Sequence, residues 1–217
     1  MEKEVIFNII NPGMEYNEND IRFQEMMFMI NNSGVPLNRL NSKLYPEKCD
    51  IASYSELREI QKDIVNFVDG GSNVYIFSKN CGNGKTTWGI KLLLQYFNEV
   101  WACNSFTERG MIINVPLFLS EIKNDISKKD KKTLEIKEKL QNLDLIVWDD
   151  IGSTDLSSFD YTQILTYLDY RSFNLKSNIF TGNTSPSDLS KFLGDRIASR
   201  VLYGAKVIEF LGEDRRY

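Results

Sequence analysis

A glycine-rich segment contains the side chains best suited to bind phosphate. Residues 78–87 read Ser-Lys-Asn-Cys-Gly-Asn-Gly-Lys-Thr-Thr, between a short apolar run at residues 74–77 and a helical pattern. Successive backbone N–H groups in such a loop bind phosphate oxygens, and the positive end of the following helix attracts them further. The lysine of such a loop reaches the β- and γ-phosphates, and the next hydroxyl binds Mg²⁺. The segment therefore predicts an ATP and Mg²⁺ site, with Lys85 on the phosphates and Thr86 on the metal.

One position of this segment departs from the usual pattern G-x-x-x-x-G-K-[ST]. Lys79 stands where the first glycine belongs, and Gly82 is an additional glycine that can supply flexibility. We expect this departure to reduce nucleotide affinity. The alternative interpretation is a glycine-rich turn that precedes a helix by chance, and the acidic strand end described next argues against it. The predicted nucleotide contacts are Gly82, Asn83, Gly84, Lys85, Thr86 and Thr87.

Two later apolar runs end in polar side chains. Residues 143–148 precede Asp149 and Asp150, and residues 178–181 precede Gly182 and Asn183. In an open parallel sheet, ligands bind at the carboxyl ends of the strands. We predict that Asp149 holds Mg²⁺ through water, that Asp150 orients or deprotonates the attacking water, and that Asn183 hydrogen-bonds the γ-phosphate or that water. Solvated acids at a strand end and a turn-forming asparagine are the simpler alternatives.

Strand and helix patterns alternate along most of the chain, which predicts an α/β fold with a parallel sheet and helices on both faces. Ser53 and Glu56 form a capping-box pattern for a helix that ends at Gly70 and Gly71. The predicted strands are residues 74–77, 111–115, 143–148, 178–181 and 206–210. The later predicted helices are residues 85–97, 117–126, 131–140, 159–175 and 187–201.

The first 45 residues differ from the rest, since they are rich in asparagine and methionine. We divide the chain into an N-terminal extension, residues 1–45, and an ATPase domain, residues 46–217. Asn19 or Asp20 can cap a helix that runs to residue 30. Its apolar stripe consists of Phe23, Met26, Met27 and Ile30. Because methionine adapts to partner surfaces, the stripe either docks on a partner or packs on the ATPase domain itself.

The composition excludes several kinds of site. The sequence has no histidine, and its cysteines Cys49, Cys81 and Cys103 form no C-x-x-C pair, which argues against Ser-His-Asp triads, zinc modules and a disulfide framework. The net charge is −4, so any nucleic-acid contact requires a local patch. No apolar run approaches the roughly 20 residues that span a bilayer, and the first residues lack the core of a signal peptide. We expect a cytoplasmic protein without a membrane partner.

The predicted strand ends, in this order, resemble the AAA+ ATPases, and more closely the DnaC/DnaI-type replicative helicase loaders of bacteria and phages. The resemblance covers residues 34–217. The segments that carry it are residues 82–86 (Walker A), 145–152 with the double aspartate (Walker B), 181–183 (sensor 1), 193–200 (arginine-finger box) and 212–216 (sensor 2).

The resemblance implies a P-loop NTPase fold with a short N-terminal helical extension and no sizeable C-terminal lid. It implies that Arg200 acts as a trans arginine finger in the ATP site of a neighbouring subunit, that Arg196 braces the interface, and that Arg216 contacts nucleotide. The alternative for Arg196 and Arg200 is a helix with arginines on its surface. The alternative for Arg216 is a frayed tail. The implied catalytic set is Lys85, Asp149, Asp150, Asn183 and Arg200, and the implied partners are a DnaB-type helicase, single-stranded DNA and further copies of the chain in the ATP-bound state.

A lysine-rich stretch, residues 123–139, stands out in an otherwise acidic protein. Such lysines neutralise DNA phosphates, and Phe118 beside them is a candidate to stack on a base. The alternatives are a core role for Phe118 and a solvated helix face in which the lysines pair with interleaved acids. The lysines are Lys123, Lys128, Lys129, Lys131, Lys132, Lys137 and Lys139.

Four functions share these motifs. The leading hypothesis is an ATP-dependent helicase loader that hydrolyses ATP slowly and is stimulated by its partner or by DNA. An IstB-like ATPase that assists a transposase has the same core motifs, and a neighbouring helicase or transposase gene would distinguish the two. A DnaA-like initiator would need a helix-turn-helix domain, which does not fit after Phe210. A nucleotide-gated adaptor without hydrolysis is the fourth possibility.

Overall fold

The computed structural model describes residues 2–101, 106–125 and 131–214 of the 217-residue chain. The strands are β1 (Asn73–Phe77), β2 (Gly110–Asn114), β3 (Leu145–Asp149), β4 (Ser177–Gly182) and β5 (Ala205–Glu209). The α-helices are α1 (Glu2–Ile10), α2 (Ile21–Asn32), α3 (Ile51–Lys62), α4 (Ile64–Asp69), α5 (Lys85–Val100), α6 (Val115–Asp125), α7 (Lys131–Asn142), α8 (Ser158–Phe173), α9 (Leu189–Leu193) and α10 (Asp195–Leu202), with short 3-10 helices at Leu37–Arg39 and Lys48–Asp50.

The five strands form one sheet in the order β2-β3-β4-β1-β5, and every pair is parallel. Alternate residues of each strand point to opposite faces. Leu145 and Val147 of β3 join the core that also contains Leu92 of α5. Ile146 and Trp148 join a second core, formed with helices of the other face. The predicted parallel sheet with helices on both faces is therefore confirmed.

The N-terminal extension packs into the first of these cores. Asp20 caps α2, since its carboxylate accepts a hydrogen bond from the N–H of Phe23 at 2.8 Å. Phe23, Met26 and Ile30 of the predicted stripe are buried in the core that α5 shares, and Met27 is partly buried against it. Phe7 of α1, a helix that the sequence patterns did not predict, packs edge to face on Phe23 with ring centroids 5.2 Å apart. The stripe thus packs against α5 and the core beside the sheet of the same chain.

Two predicted helices are wrong in detail. The capping box at Ser53 does not form, because α3 begins at Ile51 and the Ser53 hydroxyl instead donates to the carbonyl of Glu209 at 2.6 Å. Asp63 leaves helical geometry (φ −115°, ψ 33°), which separates α3 from α4. The helix predicted over residues 187–201 is interrupted at Gly194, whose φ of 76° lies in the left-handed region that favours glycine.

A fully buried arginine connects α8 to the start of the sheet. Arg171 donates to Asn178 Oδ1 at 2.6 Å and to the carbonyls of Leu140 at 3.0 Å and Leu143 at 2.8 Å. It also donates to the carbonyls of Asp144 and Ser177. Burial lowers the pKa of Arg171 to about 9, and the nearby Asp144 charge opposes this shift. One side chain therefore satisfies one amide oxygen and four backbone carbonyls near the start of the sheet.

We expect Arg171→Leu to lower the free energy of unfolding by on the order of 3–5 kcal/mol, because each buried carbonyl left without a donor costs about 1–3 kcal/mol. Arg58→Leu, on the exposed face of α3, is the matched control and should change stability by less than about 0.5 kcal/mol. Urea unfolding of the two variants measures the difference. Equal stabilities would show that the Arg171 network contributes little.

The charged environment of Asp144 makes the stability of the fold sensitive to acid. Burial would raise the pKa of Asp144, but hydrogen bonds and charge from Lys176 (2.8 Å) and Arg109 (3.2 Å) outweigh it and hold the pKa below its ordinary 3.8. The stabilisation that these two cations give to the folded state is therefore complete above pH 3.8. It is lost as pH falls through the lower pKa that Asp144 has in the folded state. We expect Asp144→Asn to cost about 1 kcal/mol at pH 7, with the difference from wild type shrinking below pH 3.8. A difference that is constant with pH in urea unfolding would contradict this assignment.

Candidate active site

A cavity of about 220 Å³ lies at the carboxyl ends of the strands. It brings together the glycine-rich loop after β1, the acidic end of β3 and the polar end of β4, which are far apart in sequence. Such a position is where parallel sheets bind ligands. The lining residues are Cys81, Gly82, Lys85, Thr86, Asn114, Asp149, Asp150, Thr181 and Asn183.

The phosphate loop, residues 78–84, connects β1 to α5. Gly84 precedes α5 with φ 101°, a conformation that favours glycine, and a Cβ there would displace the end of the Leu44 side chain, whose Cδ2 would lie 2.8 Å away. Asn83 fixes the loop from within, since its amide donates to Ser78 Oγ at 2.5 Å and to the carbonyl of Gly212 at 3.4 Å. Asn80 donates to the same carbonyl at 3.1 Å. The loop is therefore tied to the segment that follows β5.

Lys85, the first residue of α5, is nearly buried within the loop. Its Nζ donates to the carbonyl of Asn80 at 2.9 Å and to Asn83 Oδ1 at 3.2 Å. Only 8% of Lys85 is exposed, and it lines the cavity. Lys79, the residue in place of the usual glycine, is exposed and is not among the lining residues. The structure therefore concentrates positive charge in the cavity on Lys85.

A chain of hydrogen bonds connects the start of α5 to the Asp149 carboxylate and the Asp150 backbone. Thr86 Oγ1 donates to Asp149 Oδ1 at 2.7 Å, and Thr181 Oγ1 donates to the same oxygen at 2.6 Å. The N–H of Asp150 donates to Thr181 Oγ1 at 3.1 Å. The predicted metal-binding residues Thr86 and Asp149 are thus adjacent, as the sequence interpretation requires.

Asp150 and Asn183 form a polar pair beside these groups. Asp150 has φ 63°, which is uncommon for a residue with a side chain and typical of functional turns. Asn183 Nδ2 donates to Asp150 Oδ1 at 3.4 Å. Asn183 Oδ1 is buried and accepts no hydrogen bond from the described part of the chain. The NH₂ group of Asn183 is thus the part of its side chain that faces Asp150.

The side chains present fit a nucleotide with Mg²⁺. The Thr86 hydroxyl and the Asp149 carboxylate are oxygen ligands of the kind that Mg²⁺ prefers. Within the described ranges, no three or more histidine, cysteine or acidic side chains cluster so as to hold a metal ion by themselves. In proteins, Mg²⁺ is usually bound by one or two carboxylates together with phosphates and waters.

Asn114 and Thr181 also line the cavity. From the sequence, Asn114 had no predicted role and Thr181 belonged only to the sensor 1 segment. Asn114 ends β2, and its Oδ1 accepts a hydrogen bond from the N–H of Leu117 at 3.2 Å, close to the start of α6. Thr181 is the penultimate residue of β4. Both lie at the carboxyl end of a strand, so the rule that selected Asp149 would have found them.

The two arginines of α10 lie elsewhere. Arg200 Nε contacts Asp169 Oδ1 of α8 at 2.6 Å, and Arg196 Nη2 contacts Asp169 Oδ2 at 3.6 Å. Neither arginine lines the cavity of its own chain. Thr87 is buried and also does not line the cavity, and Arg216 lies outside the described residues.

The lysine-rich stretch is partly paired. Lys123 contacts Asp160 at 2.6 Å, and Lys139 contacts Glu108 at 2.8 Å. Phe118 is buried in the second core, so its predicted core role is confirmed and its stacking role is wrong. Lys128 and Lys129 lie outside the described residues. In the parts of the chain that the structure covers, no helix has the length and apolar character to cross a membrane.

The strand order, the phosphate loop between β1 and α5, and the polar ends of β3 and β4 are those of a P-loop NTPase fold. No family model matches the chain. By sequence, the chain is 26% identical over 192 residues to the replicative helicase loader DnaC of Escherichia coli (strain K12), an alignment that covers 86% of this chain and 74% of that protein.

Solved structures agree with this likeness. The crystal structure of the DnaC helicase loader matches with a TM-score of 0.63 and 20% identity, covering 76% of this chain and 93% of that one. The crystal structure of DnaI matches with a TM-score of 0.62 and 22% identity, covering 82% of this chain and 95% of that one. Domain III of DnaA from Thermotoga maritima matches with a TM-score of 0.61 and 19% identity, covering 80% of this chain and 70% of that one. The resemblance to DnaC/DnaI-type AAA+ helicase loaders is therefore confirmed.

Proposed function

We propose that this protein is an ATP-dependent loader that places a replicative DnaB-type helicase on single-stranded DNA during replication. The observation that carries the proposal is the cavity in which Lys85, Thr86, Asp149, Asp150 and Asn183 meet. The likeness to DnaC over 86% of the chain supports the choice of a loader among AAA+ functions.

ATP is the proposed ligand of the cavity. Residues 82–87 would surround its phosphates with backbone N–H groups, and Lys85 would neutralise the β- and γ-phosphates. The structure of AMPPCP-bound DnaA from Aquifex aeolicus has the same fold, with a TM-score of 0.61 over 79% of this chain and 50% of that one at 16% identity. That similarity supports a nucleoside triphosphate as the ligand.

Hydrolysis follows from the two carboxylates. Thr86 and Asp149 would hold Mg²⁺, which neutralises charge on the phosphates when bound. Asp150 would orient the attacking water or accept its proton. Asn183 would hydrogen-bond the γ-phosphate or the same water, while its amide restrains Asp150.

Arg200 would complete the site of a neighbouring subunit. It lies outside its own cavity, and a partly exposed arginine on α10 is available to a second copy of the chain. An arginine inserted in trans stabilises the charge that develops on the γ-phosphate. The protein would therefore assemble in its ATP-bound state, with Arg196 and Asp169 bracing the interface. Arg216 remains a proposed nucleotide contact.

Mixing two inactive variants tests the shared site. Arg200→Ala subunits retain an intact pocket, and Lys85→Ala subunits retain an intact arginine. We expect each variant alone to lose most ATP turnover, and the mixture to recover part of it because some interfaces combine both intact halves. Recovery is measured as phosphate release across mixing ratios. A mixture that assembles but never exceeds the sum of its components would refute a trans arginine.

The N-terminal extension and the lysine-rich stretch are the proposed partner contacts. A groove of about 490 Å³ runs along α2, where Phe23, Met27 and Phe28 supply an apolar floor beside Lys3 and Glu18. This groove, at the edge of the largely buried stripe, is the proposed helicase contact of the extension.

A replication initiator DnaA bound to AMPPCP and single-stranded DNA shares the fold, with a TM-score of 0.60 and 16% identity over 78% of this chain and 49% of that one. This likeness supports DNA as a second ligand. The proposed contact is the lysine-rich stretch, residues 123–139.

Retention of the host's replicative helicase on circular single-stranded DNA tests the loading function. We expect retention to require this protein and ATP, and Lys85→Ala to abolish it. Lys79→Ala, a change at an exposed lysine of the same loop, is the matched control and should load nearly as well as wild type. Equal retention with and without the protein would contradict the loader assignment. A specific complex with a transposase instead would favour the IstB-like alternative.

A further inference from the structure

We propose that Thr181 is a positioning residue of the ATPase site, and that its single hydroxyl sets the two carboxylates in their working arrangement. The inference rests on the proposed ATPase function and deepens it, since it concerns control of the metal-binding and water-orienting groups. It assigns to Thr181 a role in the reaction without direct contact with the reacting atoms.

The Thr181 hydroxyl makes two bonds to consecutive residues of β3 and its turn. Oγ1 donates to Asp149 Oδ1 at 2.6 Å and accepts from the N–H of Asp150 at 3.1 Å. A hydroxyl has one hydrogen to donate, so both functions are used at once. The carboxylate of one aspartate and the backbone of the next are thereby fixed to the same atom.

The hydroxyl is itself held in place. Thr181 is 2% exposed, so water competes little for its bonds. Its Cγ2 methyl faces α5 and would lie 3.6 Å from a Cβ built on Gly89. A β-branched side chain has few χ1 rotamers, and packing of the methyl against α5 favours one of them. The fixed methyl consequently directs the hydroxyl towards Asp149.

The hydroxyl also supports a strained turn. Asp150 has φ 63°, a conformation that costs energy for a residue with a side chain unless its surroundings fix it. Besides the bond to the Asp150 N–H, the carbonyl of Thr181 accepts from the N–H of Ile151 at 2.8 Å. This turn places Asp150 within 3.4 Å of the Asn183 amide. Thr181 thus connects metal binding at Asp149 with the orientation of Asp150.

Thr86 is the other donor to Asp149 Oδ1, but it is itself the proposed metal ligand. Thr181 is therefore the neighbour that can orient the carboxylate without binding the metal. Groups that orient metal ligands in this way are worth about 10–100-fold in metal affinity or activity when removed.

Two matched pairs of variants isolate the hydroxyl. Wild type and Thr181→Val differ by a hydroxyl at nearly constant volume, and Thr181→Ser and Thr181→Ala differ by the same hydroxyl without the methyl. For each protein we would measure ATP turnover against Mg²⁺ concentration, binding of ATP in EDTA, and the unfolding temperature. The Ser and Ala pair provides the test if the Val variant does not fold.

We expect both variants without the hydroxyl to need about tenfold more Mg²⁺ for half-maximal turnover and to lose about tenfold or more in kcat. ATP binding in EDTA should change little, and Thr181→Ser should behave nearly as wild type. Wild-type Mg²⁺ dependence and kcat in Val and Ala would overturn the proposal. Equal impairment of Ser and Ala would overturn it as well, since it would assign the effect to packing of the methyl. Absence of Mg²⁺-dependent turnover in wild type would instead refute the proposed ATPase function.

Discussion

Lys85→Ala should weaken ATP binding by on the order of tenfold to a hundredfold while the fold survives. The ammonium group lies inside the phosphate loop and supplies charge-assisted hydrogen bonds, each worth about 1.5–3 kcal/mol. Its neighbours Asn80 and Asn83 keep other partners in the segment after β5, so the loop should retain its path. Isothermal titration with ATP and Mg²⁺ gives the affinity, and thermal unfolding checks the fold.

Lys79→Ala is the control for this experiment, because Lys79 belongs to the same loop but is exposed and does not line the cavity. We expect its affinity for ATP to stay within about threefold of wild type, as surface charges contribute about 0–1 kcal/mol. An unchanged affinity in Lys85→Ala would remove the basis for the nucleotide site. Equal losses in both variants would assign the effect to net charge rather than to the position of Lys85.

Asp150→Asn should keep ATP binding and lose on the order of a hundredfold or more in turnover. Its carboxylate is proposed to act on the water, and general-base catalysis contributes roughly 10²–10⁴-fold. Asp149→Asn should in addition weaken Mg²⁺-dependent binding, because Asp149 is bonded to Thr86 at the proposed metal position. The comparison requires kcat and ATP affinity for both variants, measured with and without Mg²⁺.

Asp155→Asn removes an equal charge at an exposed position five residues after Asp150 in the sequence and serves as the control. It should hydrolyse ATP as wild type does. If Asp149→Asn and Asp150→Asn also hydrolyse ATP normally, the division of roles between the carboxylates is wrong. If both lose binding to the same extent, Asp150 belongs to metal binding rather than to the water.

The sheet and most of the site were predictable because their signals are local. Apolar runs give the strands, and the polar residue after each run marks the edge where ligands bind. The phosphate loop is recognisable in the sequence because Gly84 permits a left-handed backbone conformation and Lys85 supplies a positive charge. These features need only the order of residues along the chain, and their positions in the cavity follow from the topology of a parallel sheet.

Long-range contacts explain what the sequence did not reveal. Ser53 bonds to Glu209, 156 residues away, and so does not form its capping box. The stripe on α2 has the same pattern whether it covers the protein's own core or a partner, and only the structure shows it buried. The Thr181 hydroxyl acquires its place between two aspartates only when β3 and β4 lie side by side.

A crystal structure with AMPPCP and Mg²⁺ would show whether this cavity is a Mg²⁺–nucleotide site. We expect phosphates within the phosphate loop, an oxygen of the β- or γ-phosphate within hydrogen-bond distance of Lys85 Nζ, and Mg²⁺ on Thr86 Oγ1 beside Asp149. We also expect an ordered water within hydrogen-bond distance of the Asp150 carboxylate. Nucleotide bound elsewhere, or Mg²⁺ remote from Thr86 and Asp149, would contradict this assignment.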